Sequence, residues 1–241
     1  MNVRRMLKQS DTVVGLVRDL RKIPVLITKQ LSRNRLIKSY LESNYTKKLQ
    51  LGAGSTNLPG WLSTDIVPAF KHVLYLDVTE KFPFADNTFD YIFSEHMIEH
   101  IPWHKGLFML KECRRVLKPR GTIRLATLNL EVLIGLYIKN GNTLNERYIE
   151  WITNKFLDDV NAYKASFVIN NAFRSWGHQF LYDDDLLAMS MQKAGFTNIR
   201  RCSLGESIDE DLRGIESHGE NINNDDMARF ETIVFEGECP V

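Results

Sequence analysis

The stretch that most constrains the fold is residues 47–66, KKLQLGAGSTNLPGWLSTDI. Leu49, Gln50 and Leu51 are typical of a short buried strand, and the next three residues, Gly-Ala-Gly, end it with a turn. Such a turn at the carboxyl end of a strand lets backbone N–H groups approach a ligand closely. Residues 61–66 are a predicted second strand with Asp65 near its end, where a carboxylate can accept both ribose hydroxyls. The pattern predicts the start of a nucleoside-binding α/β sheet.

The glycine pattern differs from the dinucleotide fingerprint. Position 57 is Asn where a third glycine would stand, and Asp65 follows Gly52 by 13 residues instead of about 20. Too little chain remains for a full helix between the two strands. These departures argue against an NAD-dependent enzyme, while an ordinary strand-to-loop turn is the alternative interpretation of a lone G-x-G.

Later segments continue the alternation of strands and helices. The predicted third strand, 73–76, ends at Asp77, and the predicted fourth, 89–93, ends at Ser94-Glu95-His96. Further predicted elements are a helix over 101–117 stopped by Pro119 and Gly121, strands over 122–127, 198–203 and 231–235, and a helix over 182–194 capped by Gly195. Residues 204–226 are acidic with few large apolar side chains, which predicts a mobile loop.

Residues 128–180 lengthen one connection far beyond the few residues that an α/β unit needs between strand and helix. The segment is rich in aromatics and helical in pattern, with LEVLIGLYI followed by NERYIEWITNKFLDDVNAY. An insertion at the carboxyl ends of the strands lies over the ligand crevice. We therefore expect a lid or acceptor-binding subdomain, and a purely structural helical pair is the alternative.

Charge separates the chain into two parts. Residues 1–48 hold 12 Lys/Arg and 3 Asp/Glu, a net of +9, and the remainder holds 19 and 27, a net of −8. Two basic helices are predicted over 10–43; they either pack on the domain edge or a second subunit, or contact an anionic membrane surface. No aromatics interleave with the charge of residues 1–39, so nucleic acid is not an expected partner.

Other features indicate a cytoplasmic chain, with peripheral membrane contact as the alternative. Three cysteines without metal-like spacing are typical of free thiols in a reducing compartment. No apolar run reaches the 18 residues of a membrane span, and the first residues have no apolar core that would make a signal peptide.

Five pieces in this order resemble a class I S-adenosylmethionine-dependent methyltransferase, similar to the small-molecule type 11 branch. They are LQLGAGS, the strand-end Asp65, LDVTEKFPFADNTFDYIFSEHMIEHI, LKECRRVLKPRGTIRLAT and HQFLYDDDLLAMSMQKAGFTNIRR. The resemblance implies an α/β, Rossmann-like seven-stranded sheet, mostly parallel with an antiparallel last strand and helices on both faces. It predicts a basic helical extension over 1–46 and a methyltransferase domain over 47–241 that includes the insertion.

The resemblance also implies the cofactor, S-adenosyl-L-methionine, and its site. Gly52, Ala53 and Gly54 would face its methionine part. Asp65, with Ile66, would hold the ribose, and Asp77, with Val78, the adenine. Ser94, Glu95 and His96 would line the region around the sulfonium group. Gln50 stands where many relatives have an acid. No metal ligand is predicted.

The histidines allow more than one chemistry. His96, His100 and His178 are candidate general bases for O-methylation of a small molecule or saccharide. His96-x-x-Glu99-His100 also fits the zinc-hydrolase pattern in which two histidines one helical turn apart bind the ion, with His104 a further turn along the same face. Metal-assisted methyl transfer and a non-catalytic scaffold of the same fold are the remaining alternatives. The sequence does not identify the acceptor.

Overall fold

The computed structural model describes residues 33–56, 58–138, 143–158 and 160–241. Its strands are β1 (Lys48–Leu51), β2 (Trp61–Asp65), β3 (Leu74–Tyr75), β4 (Phe89–Glu95), β5 (Leu117–Leu128), β6 (Thr197–Cys202) and β7 (Thr232–Glu238). They form one sheet in the order β3-β2-β1-β4-β5-β7-β6. Strands β1 to β5 pair in parallel, and β7 runs antiparallel to both of its neighbours. This confirms the predicted Rossmann-like sheet with its antiparallel last strand.

Eight helices and two 3-10 turns surround the sheet in the described part of the chain. The helices are α1 (33–43), α2 (Trp103–Val116), α3 (Leu130–Ile138), α4 (Thr143–Phe156), α5 (Ala165–Arg174), α6 (Asp184–Ala194), α7 (His218–Ile222) and α8 (Asp225–Glu231). The 3-10 turns are Ile98–His100 and Glu210–Leu212. None of these helices is long and apolar enough to cross a membrane.

The core has a main layer and two satellites. Side chains of β1, β4 and β5 pack with α2 and α6 in the main cluster, to which Leu36, Ile37 and Tyr40 of α1 add partly buried contacts. Because successive strand residues point to opposite faces, Ile92 belongs to this cluster while its neighbour Phe93 packs with Trp61 on the other face. The sheet is therefore covered on both sides.

The cap of α6 follows the sequence pattern. The Asp183 carboxylate accepts the Leu186 N–H at 2.8 Å, and Gly195 ends the helix in the left-handed region at φ 96°. The predicted start at 182 is wrong by two residues because Asp183 is the N-cap.

The prediction that Pro119 and Gly121 separate α2 from a strand at 122 is wrong. Strand β5 begins directly after α2, and its pairing with β4 is irregular between Phe89 and Tyr91. Proline is tolerated in this bulge because no ladder hydrogen bond is required there. A Cβ on Gly121 would lie 2.9 Å from the Asp90 carbonyl oxygen, so the bulge packs closely.

Two further predictions need correction. The insertion holds three helices, α3 to α5, instead of a pair, and they enclose their own apolar cluster around Tyr148 and Ile152. Residues 204–226 are not simply a loop: they contain α7 and one 3-10 turn, and Leu212 is fully buried against the sheet. Of the basic helices predicted over 10–43, residues 10–32 lie outside the described residues, and α1 is the remainder.

Candidate active site

The turn after β1 is built around two glycines with positive φ. Gly52 has φ 67° and Gly54 has φ 53°, a region that other residues rarely adopt. A Cβ on Gly52 would lie 2.4 Å from Cγ of Met97, whereas one on Gly54 would meet nothing within 4 Å. Between them, Ala53 donates its N–H to the Thr64 carbonyl at 2.9 Å. The turn is thus fastened to β2, with Gly54 facing open space.

Asp65 ends β2 beside this turn. Its carboxylate accepts the Gly54 N–H at 2.8 Å on one oxygen and the Val67 N–H at 2.7 Å on the other. These contacts fix the carboxylate while each oxygen keeps a lone pair for a ligand.

Asp77 follows β3 and is held in a similar way. Its Oδ1 accepts both the backbone N–H and the hydroxyl of Thr79, at 2.9 and 2.7 Å. Both contacts use the same oxygen, so Oδ2 is available to a ligand. Two oriented carboxylates therefore stand at neighbouring strand ends.

These strand ends open into a cavity of about 410 Å³, here called the donor cavity. Predicted cofactor residues on its wall are Gly52, Gly54, Asp65, Ile66, Asp77, Val78 and His96. The sequence analysis did not single out Leu76, Thr79, Met97 and Ile101, which complete the wall with His100. The cavity thus combines two carboxylates and a glycine turn with an apolar lining.

Three predicted residues stand behind this wall. Ala53 is 3% exposed and Ser94 2%, and the Ser94 hydroxyl has no hydrogen-bond partner among the described residues. The Glu95 carboxylate accepts the backbone N–H groups of Ser217 and His218 at 2.9 to 3.2 Å. Cofactor contacts for these three stay predictions.

Gln50 also faces away from the cavity. It is buried, and its side-chain oxygen accepts the Ser63 hydroxyl at 2.7 Å. Gln50 therefore ties β1 to β2 inside the sheet.

A second cavity of about 250 Å³, the acceptor cavity, lies beyond His96 and His100. Its wall is formed by His96, His100, Leu128, Trp151, Ile152, Phe156, Trp176, His178, His218, Ile222 and Glu231. The insertion supplies the aromatic side chains Trp151, Phe156 and Trp176. Because His96 and His100 line both cavities, the two spaces adjoin along these histidines.

His96 is fixed on both sides of its ring. Its Nδ1 lies 2.9 Å from Glu99 Oε1, and its Nε2 lies 3.1 Å from the Thr232 hydroxyl. Burial lowers the pKa of His96, but the Glu99 hydrogen bond and nearby carboxylates outweigh this effect and leave the pKa raised. The residue has φ 44°, so the backbone is strained where it turns between the two cavities.

Glu99 is fully buried beneath this histidine. Burial raises the pKa of its carboxyl, yet the His96 hydrogen bond and charge prevail and lower the pKa to about 2. Glu99 therefore carries a negative charge inside the protein, paired with His96.

The zinc-hydrolase pattern is not assembled as its spacing predicts. Ile98–His100 is a 3-10 turn, and both ring nitrogens of His96 are already hydrogen-bonded, so His96 and His100 do not form a two-histidine set one helical turn apart. His104 lies on α2 and is exposed, which makes the prediction of a shared face wrong.

Residues 49–125 match the model of a family described as a methyltransferase domain. This part of the chain, about a third of its length, is similar to a methyltransferase domain. The match runs from β1 into β5 and includes Gly52, Asp65, Asp77 and His96. It confirms the resemblance to the type 11 branch and the predicted cofactor, S-adenosyl-L-methionine.

Solved structures resemble the methyltransferase domain at low identity. A SAM-dependent methyltransferase from Archaeoglobus fulgidus is 15% identical, with 87% of this chain and 94% of that chain covered and a TM-score of 0.45. Phosphoethanolamine N-methyltransferase 2 of Haemonchus contortus, in complex with S-adenosyl-L-methionine, is 15% identical over 87% of this chain and 52% of that chain, with a TM-score of 0.41. No curated protein sequence matches the chain. The acceptor therefore has to be inferred from the site itself.

The donor cavity suits this cofactor chemically. Asp65 and Asp77 can accept hydrogen bonds from hydroxyl and amino groups, and Ile66 and Val78 offer apolar surface to a flat ring. Ile66 is 55% exposed, so its apolar surface is accessible to a ligand. The open space at Gly54 leaves room beside the turn for the amino-acid end.

His218 is a further site residue that was not predicted from the sequence. Its Nε2 lies 2.8 Å from Glu231 Oε1, while the other Glu231 oxygen accepts a hydrogen bond from the Tyr148 hydroxyl. The His218 ring stacks on His96 with centroids 3.8 Å apart. Its place in an acidic segment gave no local signal, because its partners are far away in the sequence.

Proposed function

We propose that this protein transfers a methyl group from S-adenosyl-L-methionine to a hydroxyl of a small molecule or saccharide held in the acceptor cavity. The observation that carries the proposal is the shared wall: His96 and His100 border both cavities, so a donor and an acceptor would meet there. Methyl transfer is an in-line displacement, and adjoining sites supply the positioning on which its rate depends.

The donor side follows from the strand ends. Asp65 would hold the ribose hydroxyls, Asp77 the adenine amino group, and the turn at Gly52 and Gly54 the methionine part. When bound there, S-adenosyl-L-methionine supplies an electrophilic methyl group on a positive sulfur. Ile66, Val78 and Met97 would exclude water from the bound nucleoside.

The acceptor side supports a small ring-shaped substrate. The volume of the acceptor cavity, about 250 Å³, is slightly below the range of about 300–1,000 Å³ that is usual for small-molecule sites, so the substrate would be small. Trp151, Phe156 and Trp176 offer flat faces of the kind that pack against sugar or aromatic rings. We propose that helices α3 to α5 form the acceptor-binding subdomain predicted over 128–180, within a domain that spans 47–241.

An oxygen acceptor must lose a proton as the new O–C bond forms and the C–S bond breaks. Glu231 orients His218 through Nε2, which leaves Nδ1 without a hydrogen-bond partner among the described residues. We propose that this nitrogen accepts the proton of the acceptor hydroxyl, because an imidazole oriented by a carboxylate is an effective general base. His96, His100 and His178, the histidines predicted for this role, would instead shape the acceptor cavity.

The proposed location is the cytoplasm. Cys113, Cys202 and Cys239 are all free, as in a reducing compartment. Cys113 and Cys239 are also buried.

The proposal is tested by titrating the purified protein with S-adenosyl-L-methionine in a calorimeter, then supplying methyl-labelled cofactor with a panel of phenols, sugars and amines. We expect stoichiometric binding and label transfer to a hydroxyl compound, with S-adenosylhomocysteine as co-product. Transfer to amines alone would overturn the choice of O-methylation. Binding without transfer to any acceptor in cell extract would support the non-catalytic scaffold instead.

A further inference from the structure

A cluster of metal-binding side chains lies where the two cavities meet. One carboxylate oxygen of Glu99 and one ring nitrogen each of His100 and His178 all lie within 4.8 Å of one another. His100 borders both cavities, and His178 borders the acceptor cavity. The His100 and His178 rings meet edge to face, with centroids 4.9 Å apart.

To this cluster Glu99 brings a buried carboxylate oxygen that has no hydrogen-bond partner in the described part of the chain. Its Oε1 is hydrogen-bonded to His96, but its Oε2 has no partner among the described residues, and the side chain is 0% exposed. A buried carboxylate oxygen without a donor is costly, and structures rarely leave one so. A bound cation would satisfy it.

His178 is oriented as metal-binding histidines are. Its Nδ1–H donates to the Ala172 carbonyl at 2.7 Å, which leaves the Nε2 lone pair for an ion. A backbone carbonyl on the far nitrogen is the usual outer partner of a histidine ligand, since it fixes the tautomer and the ring. His96 provides the same support to Glu99.

The backbone holds the two halves of the cluster together. The N–H groups of Gln179 and Phe180 donate to the Glu99 carbonyl at 2.8 and 3.1 Å. The Gln179 side chain donates to the His100 carbonyl at 2.8 Å. His178 is therefore tied opposite Glu99 and His100 by hydrogen bonds that involve none of the three side chains.

We propose that Glu99, His100 and His178 bind a divalent transition-metal ion of the zinc or iron type. Two imidazoles and one carboxylate are a donor set that such ions prefer, and three protein ligands leave a position open for a substrate oxygen. Bonds of about 2.1 Å place donor atoms around one ion roughly 3.3 Å apart. The ligand atoms lie within 4.8 Å of one another, so binding would require the His100 and His178 rings to move toward the ion.

The ion would occupy the junction of the donor and acceptor cavities. An acceptor hydroxyl at the open position becomes more acidic and is held beside the donor site, and its proton passes to His218. This consequence rests on the proposed function, whereas binding of the ion does not.

The test is calorimetric titration of the full chain, first freed of metal by chelator dialysis, with Zn²⁺ in the absence of cofactor. Visible absorption of the Co²⁺-loaded protein reports nitrogen ligands independently of activity. We expect one ion per chain and Co²⁺ bands of an imidazole site. His100→Ala and His178→Ala should each weaken Zn²⁺ binding at least about a hundredfold, since even outer-shell changes cost 10–100-fold.

Two further variants separate ligand loss from misfolding. His178→Asp, which keeps a ligand atom, should recover part of the affinity lost in His178→Ala. His104→Ala removes an exposed histidine of α2 and should bind Zn²⁺ as the wild type does. Failure of the wild type to bind one ion, or unchanged affinity in both alanine variants, overturns the proposal.

The proposed metal site and the proposed methyl transfer can be refuted independently of each other. Transfer that continues unchanged in chelator, together with no ion uptake, would remove the metal site and leave the proposed function standing. Stoichiometric ion binding that the alanine variants abolish, without transfer to any acceptor, would keep the metal site and remove the function.

Discussion

His218 Nε2 lies 2.8 Å from Glu231 Oε1, and the same carboxylate accepts the Tyr148 hydroxyl. Tyr148 is 2% exposed, so the carboxylate is anchored from the interior while His218 faces the acceptor cavity. Burial and the Glu231 charge raise the pKa of Tyr148, which therefore stays protonated and donates. A fixed imidazole at the cavity wall is the result.

Replacement of His218 tests its role as the proton acceptor. His218→Gln should lower kcat by about 10²–10⁴-fold, the usual contribution of a general base. The dissociation constant of S-adenosyl-L-methionine should be unchanged, because His218 does not line the donor cavity. His104→Gln is the control, and full turnover in His218→Gln would remove this residue from the mechanism.

The two strand-end carboxylates should determine cofactor affinity. Asp65→Ala and Asp77→Ala each remove a charge-assisted hydrogen bond worth about 1.5–3 kcal/mol, so the dissociation constant should rise roughly 10- to 150-fold in calorimetry. Asp185→Ala, an exposed change on α6, is the control. Unchanged affinity in both cavity variants would mean that the cofactor binds elsewhere.

The two glycines of the turn provide a matched pair. Both have positive φ, so an alanine at either costs about 1 kcal/mol of backbone strain. Only at Gly52 would the new Cβ also collide with Met97, at 2.4 Å. Gly52→Ala should therefore lower both Tm and cofactor affinity more than Gly54→Ala does; equal losses would show that the contact with Met97 is unimportant.

A buried ion-pair network predicts acid sensitivity. Glu236 lies 2.6 Å from Arg124 and 2.5 Å from Arg200, and Arg124 also pairs with Glu216. Burial raises the pKa of Glu236, but hydrogen bonds from Ser207 and Arg124 and the Arg124 charge lower it below the usual 4.5. A carboxyl group whose pKa is lower in the folded protein than in the unfolded chain stabilises the fold at pH values above the unfolded-state pKa. This stabilisation is lost as the pH falls through the folded-state pKa.

The free energy of unfolding of the wild type should therefore fall below about pH 4.5. Glu236→Gln should cost about 3 kcal/mol at pH 7, because the arginines lose a buried partner, and its stability should fall less steeply in acid. Denaturant titrations at several pH values measure the cost at pH 7 and the acid dependence of stability. Glu210→Gln is the control, because the Glu210 side chain is 91% exposed. The same acid slope in wild type and Glu236→Gln would contradict this assignment.

Local rules predicted the donor cavity well. Parallel strands end at one edge, so acids at the tips of β2 and β3 and the turn after β1 had to come together there. Asp65, Asp77 and Gly54 could thus be placed without knowledge of any long-range contact. The bulge at Pro119 could not be predicted in this way, because the pairing of β5 with β4 continues the strand through residues that usually end a helix.

The acceptor cavity depended on contacts that sequence patterns do not report. Glu95 accepts backbone N–H groups of 217 and 218, and His96 stacks on His218, across more than a hundred residues. These contacts convert an acidic, weakly apolar segment into a wall of the site. His178 was singled out from its local sequence pattern, but its proximity to Glu99 and Ala172 could not be predicted from that pattern.

A crystal structure of the protein with S-adenosylhomocysteine would show whether the cofactor binds between the strand ends and the acceptor cavity. We predict an arrangement with the ribose hydroxyls on Asp65, the adenine beside Asp77 and Val78, and the sulfur directed at the junction marked by His96 and His100. A ligand outside the donor cavity, or one whose sulfur points away from the acceptor cavity, would contradict it.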